Sequence, residues 1–284
     1  MRIVATSNLE QVLEVATVGT GARVTDIVQL SGSPVSSVFR VLLTDDRAVI
    51  AKVYDPAHKY RAERERHLHT LVANSGDVAV PPLLDGNDGS TVLLFADIGL
   101  EPSTARLSQL GGLLARFHGL RPEAGLLPGG RARLRPFAEQ LVSLVNSAGD
   151  LIPSEVLGVI REAAVLAPRC PQVLCHGDLH AGNVLHIPGR APWRPVVIDF
   201  EQATIAPAEY DLARTLVITD SFGTDSRQEL LSAYRPQIRP ELLAPMVLFH
   251  ATSGWIHAVR DGRHVRRWER RFHAARTALP SPRP

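Results

Sequence analysis

The stretch His176-Gly177-Asp178-Leu179-His180-Ala181-Gly182-Asn183-Val184 decides how this chain is read. It places a carboxylate and a carboxamide five positions apart, in what reads as a loop beside short apolar runs. Asp199 closes a further run, Pro195-Val196-Val197-Ile198-Asp199-Phe200. The triplet His-Gly-Asp alone carries little information, and an Asx turn would account for Asp178 by itself. Asp178, Asn183 and Asp199 together do more. They supply a proton acceptor for a hydroxyl and two hard oxygen donors for magnesium on nucleotide phosphates, the parts that phosphoryl transfer uses.

Lysine usage points the same way. Of 31 basic Lys and Arg residues only Lys52 and Lys59 are lysines, yet Lys52 stands inside the apolar run Ala48-Val49-Ile50-Ala51-Lys52-Val53-Tyr54. A compact ammonium on a slim stem reaches a phosphate as a point charge, which arginine does not do in the same way. A buried cation needs a counter-charge, and the following helical segment offers Glu63 and Glu65. Glu65 leads Leu68, Leu71 and Val72 at core-facing spacing and is the expected partner, with Glu63 in reserve. The alternative is an edge-strand lysine that snorkels to water.

Patterning divides the chain in two. After a short helix opening at Ser7 and running to about Val18, β-rich runs cover Val24–Leu30, Val35–Leu43 and Arg47–Tyr54. A helix is expected over Tyr60–Ala73, then strands over Val78–Leu84 and Thr91–Phe95 around the turn Asp85–Gly89. From Ser103 the pattern is helical: Ser103–Leu120, Pro136–Ser147, Ser154–Ala167, Glu209–Thr219, Ser226–Tyr234, Glu241–Arg260 and a basic helix to about residue 278. The stretch 173–200 interrupts it, Arg121–Gly130 reads as a Gly- and Pro-rich loop, and Pro280–Pro284 as a frayed end. The expected class is α+β, with residues 1–96 forming a small antiparallel-sheet lobe and residues 97–284 a larger, mainly helical one.

Composition excludes several classes. Hydrophobic content of 45% and charged content of 21% are ordinary for a globular protein, and no run reads as long as a membrane span. The first twenty residues carry Glu10 and Glu14 and lack an apolar signal core, so the cytoplasm is the expected compartment and no membrane partner is expected. Cys170 and Cys175 are too few for a zinc site and are read as reduced thiols. The net charge of +2 hides eight arginines against two acids in residues 259–284. Without aromatic–basic interleaving that run is read as a solvated helix face, and nucleic acid is not an expected partner.

The chain resembles the aminoglycoside phosphotransferase/choline kinase family, which has the bilobal protein-kinase-like fold. The likeness rests on His176–Asn183, Ile198-Asp199-Phe200-Glu201 and Tyr210-Asp211-Leu212-Ala213, with weaker support from Leu114-Ala115-Arg116-Phe117-His118 and Lys52. The resemblance implies Asp178 as catalytic base, Asn183 and Asp199 as magnesium ligands, and Lys52, paired with Glu65, on the phosphates of ATP or GTP. It implies that Asp211 accepts backbone N–H groups from the catalytic loop, a structural support. His176 is read as holding that loop through backbone hydrogen bonds, with a proton shuttle as the alternative. The loop Leu30–Arg40 would cover the phosphates through backbone N–H groups and through Ser33, Ser36 and Ser37, although with Gly32 alone it matches no glycine fingerprint. Phe95, Ala96 and Ile98 stand where the family's linker pairs with the purine, with Asp97 as a solvated linker residue. His118, on an apolar helix, reads as a satisfied core histidine.

Only twelve positions separate Asp199 from Asp211, which leaves no room for the peptide platform of protein kinases and implies a small-molecule hydroxyl acceptor. Substrate candidates are His180, Glu201, Glu209 and Trp255, among residues near Asp220, Asp225 and His250–His257. Acids and a π face would recruit a cation such as an aminoglycoside-like antibiotic. An amino alcohol or a sugar is the next acceptor class. A catalytically silent nucleotide-binding module is the competing reading, and a monomer or homodimer is expected.

Overall fold

The computed structural model describes residues 6–33, 35–84, 89–99, 101–121, 134, 136–148, 151–187, 194–221 and 225–278, without the side chains of 6–8 and 147–148. The capping side chain of Ser7, Pro34, most of the turn Asp85–Gly89, nearly all of Arg121–Gly130 and the end Pro280–Pro284 lie outside these residues. Two compact units are present. The first draws on the chain up to Ser103 and on Val184–Glu201; the second on Thr104–Arg121, Leu134–Asn183 and the chain from Gln202.

The first unit is built on an antiparallel sheet of four strands in sequence order, β1 (Val24–Gly32), β2 (Ser36–Leu43), β3 (Ala48–Tyr54) and β4 (Val92–Ala96). Helices α1 (Thr6–Thr20) and α2 (Lys59–Ser75) complete its core. Strand alternation sorts β3: Val49, Ala51 and Val53 join Phe39, Val41, Leu94 and the α1 residues Val12 and Ala16 in one cluster. Tyr54 instead clusters with Ala62 of α2, Leu93 and Phe95. Lys52 shares Tyr54's parity and therefore emerges beneath α2. Gly76, at φ +72°, ends α2 in the left-handed conformation.

The strand expected over Val78–Leu84 is not formed. That segment makes only single bridges, Ala79 to Val196 and Leu83 to Phe95. Pro81 and Pro82 have no N–H for a ladder, and the segment contributes isolated bonds such as Ala96 N–H to Pro82 O. A three-stranded sheet, β5 (Glu101–Pro102), β7 (Val184–His186) and β8 (Pro195–Val197), carries the chain to Asp199.

The second unit is helical: α3 (Leu107–His118), α4 (Phe137–Ala148), α5 (Ser154–Leu166), α6 (Glu209–Ile218), α7 (Asp225–Tyr234), α8 (Pro240–Asp261) and α9 (Val265–Thr277). Strands β6 (Val173–Cys175) and β9 (Thr204–Ala206) pair antiparallel within it. The α3 helix starts at Leu107 rather than Ser103, because Ser103 N–H is bonded to Val184 O in the β5–β7 edge. Against the expectation of no membrane-length run, α8 is long and apolar enough to cross one. It is nevertheless 67% buried in that stretch, with α5, α6 and α9 packed on it, and is a core helix. On α9, Arg271, Phe272 and Ala275 are buried while Arg266, Arg267 and Arg270 face solvent, as does Arg263 just before the helix. Both cysteines are free thiols.

Candidate active site

In the first unit the sheet and α2 bring Lys52 and Glu65 together inside the core. Lys52 is 7% exposed and its Nζ donates to Glu65 Oε2 at 2.7 Å and to Asp199 Oδ1 at 2.8 Å. A third carboxylate, Glu201, lies at 3.6 Å. Burial alone would push the lysine pKa down, but Glu65, Asp199 and Glu201 outweigh it and hold the ammonium charged well above the ordinary lysine value. The Tyr54 hydroxyl also donates to Glu65, two positions along the same strand face. Glu63 is not the partner: it stands two positions before Glu65, toward the other side of the helix and outside the buried set. Asp199 sits just past β8 with φ +69°, a conformation uncommon for a residue with a Cβ.

Glu201 is anchored within the same unit, with Arg61 Nη1 at 3.6 Å and Arg64 donating to its main-chain oxygen. It is thus part of the Lys52 cluster. Ser33 and Ser36 form a self-contained turn: Ser33 Oγ accepts the N–H groups of Val35 at 3.1 Å and Ser36 at 3.0 Å. Phe95 and Ala96 end β4 opposite Ile50 and Val49, and Ile98 beyond them is exposed. Asp97 differs from its expected role as a solvated residue. It pairs with Arg40 Nε at 2.6 Å and accepts from Gly99 N–H at 3.0 Å, so it fixes the linker after β4.

In the second unit the loop after β6 is pinned by α6. Asp211, 1% exposed in the first turn of that helix, accepts the N–H of His176 through Oδ2 and of Gly177 through Oδ1, both at 2.7 Å. His118 Nε2 lies 2.9 Å from Asp211 Oδ2, and its Nδ1 2.8 Å from the Tyr234 hydroxyl. Burial pushes the Asp211 pKa up, but His118, His176 and Gly177 N–H together hold it below the usual carboxylate range. His118 is thus a satisfied core histidine that also braces the loop. His176 is fully buried against Phe117.

Asp178 is held from two sides. Arg214 of α6 donates to its Oδ1 through Nε at 3.2 Å and Nη2 at 3.0 Å, and His180 Nε2 stands 3.7 Å from Oδ2. Burial works to raise its pKa, but Arg214, then His180 and His176, bring it down to about 2. Asn183 donates through Nδ2 to the main-chain oxygen of Asp178 at 2.9 Å, which leaves its amide oxygen as the donor for a cation. The sequence reading missed Arg214. Its signal was present: it follows Asp211 by three positions, so both project from one face of α6.

Two expected substrate residues have partners within the fold. Glu209 is fully buried and accepts Arg239 N–H at 2.7 Å, joining the start of α6 to the start of α8. Trp255 stacks on Phe272 with ring centroids 4.8 Å apart, so that face serves α8–α9 packing. Glu209 was chosen for a charge that burial uses within the fold, and Trp255 for a ring of which one face is taken by Phe272.

The model of the phosphotransferase enzyme family matches residues 26–245. A glucosamine kinase from Streptacidiphilus jiangxiensis is 28% identical over 159 residues, 51% of this chain and 35% of that protein. The chain therefore spans about a third of the length of this curated relative. A choline/ethanolamine kinase family protein from Mesorhizobium loti superposes with a TM-score of 0.70 at 16% identity, covering 97% of this chain and 95% of that one. The GDP complex of aminoglycoside 2'-phosphotransferase-IIIa does so with a TM-score of 0.66 at 14% identity, covering 96% and 99%. At these identities the structures show the fold, which is the protein-kinase-like α+β fold.

Proposed function

The chain belongs to the phosphotransferase enzyme family, and on that premise we propose that it transfers the γ-phosphoryl group of ATP or GTP to a hydroxyl of a small molecule. The observation that carries this reading is Lys52, held charged between Glu65 and Asp199. A lysine so placed is poised to exchange one carboxylate for nucleotide phosphates. The short step from Asp199 to α6, which begins at Glu209, supports a small acceptor rather than a peptide. A solved relative's GDP complex supports a nucleotide cosubstrate.

Asp199, with a part-exposed carboxylate, and Asn183, whose amide nitrogen is already used, each offer a hard oxygen donor of the kind that magnesium takes. When bound, magnesium would neutralise charge on the phosphates. The chain's own residues do the rest. Lys52 orients the phosphates, and Asp178 orients the acceptor hydroxyl and takes its proton. A carboxylate with pKa about 2 is a weak base. Its part is alignment first and proton acceptance late, as suits a loose phosphoryl-transfer transition state.

The acceptor is a hydroxyl compound within the range of the relatives' names: an aminoglycoside-like or other antibiotic, an amino alcohol, or a sugar. A coupled nucleoside-diphosphate release assay with magnesium across these classes tests the reading. At least one acceptor should raise release well above basal hydrolysis. If none does with either ATP or GTP, the reading fails in favour of a silent nucleotide-binding module.

A further inference from the structure

Helix α6 turns two charged side chains, three residues apart, to one loop. Asp211 holds the main chain of His176 and Gly177, and Arg214 holds Asp178. The Arg214 fork is spent on a single oxygen: both Nε and Nη2 donate to Oδ1, at 3.2 and 3.0 Å. Among the described residues, the other oxygen, Oδ2, has only Asn183 Nδ2 at 3.5 Å and His180 Nε2 at 3.7 Å, at or beyond the range of a good hydrogen bond. Oδ2 is therefore the oxygen left to receive an acceptor proton. A hydroxyl bound there lies roughly 5–6 Å from a fixed guanidinium. The other groups bearing on Asp178 are His176 and His180 of its own loop, with His250 of α8 kept neutral by burial. The two acids of the first turn of α6 are already engaged, Glu209 by Arg239 and Asp211 by His118, His176 and Gly177.

We infer that Arg214 is a positioning residue that also selects the acceptor. It aims Oδ2 of Asp178 at the reacting hydroxyl and disfavours any molecule with an ammonium group beside that hydroxyl. The acceptor class is a neutral or anionic polyol of the sugar type, with any amino group remote from the reacting oxygen. This rests on the kinase reading above. In the step itself the acceptor oxygen bonds to the γ-phosphorus as the bond to the bridging oxygen breaks. The bonding pair leaves with the nucleoside diphosphate, and the hydroxyl proton passes to Oδ2.

The test uses the full chain with magnesium and nucleotide, and four probes: a neutral hexose, a hexuronate, an amino hexose and a polyamino sugar. The wild type should favour the first two over the polyamino sugar by about tenfold or more in kcat/KM. Arg214→Gln should cut that ratio at least tenfold. It should also lower kcat more than it raises KM, because Oδ2 would no longer be aimed at the reacting hydroxyl. Arg214→Lys keeps the charge but not the fork, so it should keep the preference while kcat falls; it carries the test if Arg214→Gln melts early. A wild type that prefers the polyamino sugar, or variants with unchanged ratio and kcat, overturns the inference. Undiminished turnover in Asp178→Asn, or no phosphorylated acceptor at all, instead sinks the kinase reading.

Discussion

Asp211 Oδ1 accepts the main-chain N–H of Gly177 at 2.7 Å, while its second oxygen takes the neighbouring N–H of His176 at the same distance. One buried carboxylate thus satisfies two consecutive donors and sets the path of the loop that carries Asp178. Asparagine has one oxygen and must leave a donor unpaired. Asp211→Asn should lower stability by about 2–4 kcal/mol and kcat by ten- to a hundredfold. Nucleotide affinity should hold, because the Lys52 cluster belongs to the other unit. Urea melts, turnover and nucleotide titration measure the three; an equal loss of affinity would contradict this division of labour.

Gly177 is required for a separate reason. Its φ is +81°, and a Cβ there would lie 2.1 Å from the main-chain oxygen of Gln202. Backbone cannot give way as a flexible side chain can. Gly177→Ala should destabilise by about 2 kcal/mol or more, while Gly182→Ala, whose Cβ would meet only the His180 ring, should cost less. Thermal melts of the two variants compare them directly.

Lys52 and Glu65 should be coupled. Lys52→Met strands Glu65 in the core with only the Tyr54 hydroxyl donating to it, and should cost about 3 kcal/mol. Glu65→Gln should cost less, and the double variant less than the sum. Lys52→Met should also weaken nucleotide binding at least thirtyfold, the counterpart of about 2 kcal/mol lost with a phosphate contact. Strict additivity of the stability changes would mean that the ion pair is not energetically joined.

Acid lability should begin with histidine. His69, beside the rings of Phe95 and Phe200, is lowered by burial to about 4, and His250 likewise to about 3. Their unfolded forms bind protons below about 6.5, so the unfolded state gains protons first and stability falls as pH drops from 6.5 toward 4 and 3. Asp178, lowered to about 2, adds a loss that starts below the unfolded value near 4 and is complete only under pH 2. His69→Phe should flatten the first limb by about 2–3 kcal/mol between pH 7 and 4. An identical slope in the variant would remove His69 as its source.

Much of this was legible in advance, for local reasons. The pairing of Lys52 with Glu65 followed from strand parity and helix spacing, two periodicities that the chain carries in its own order. The helices of the second unit came through because their apolar stripes are long. The strand over Val78–Leu84 did not form, since its apolar content is local but ladder pairing needs N–H groups that Pro81 and Pro82 lack. Glu209 misled because residue type does not reveal burial. Asp97 misled because its partner, Arg40, lies 57 positions away.

By itself the amino-acid order singled out the candidate reacting groups: Asp178, Asn183 and Asp199 at their spacing, and Lys52 inside an apolar run of a chain with two lysines among 31 basic residues. Chemistry of this kind is a matter of residue type and short separation, which a linear chain records. Only the tertiary structure decided the surroundings that tune those groups. It chose which oxygen of Asp178 Arg214 occupies, turned Asp211 onto two backbone donors, and consumed Glu209 in packing. Such effects depend on burial and on distances of a few ångströms between segments 30 or more positions apart, and no local pattern encodes them.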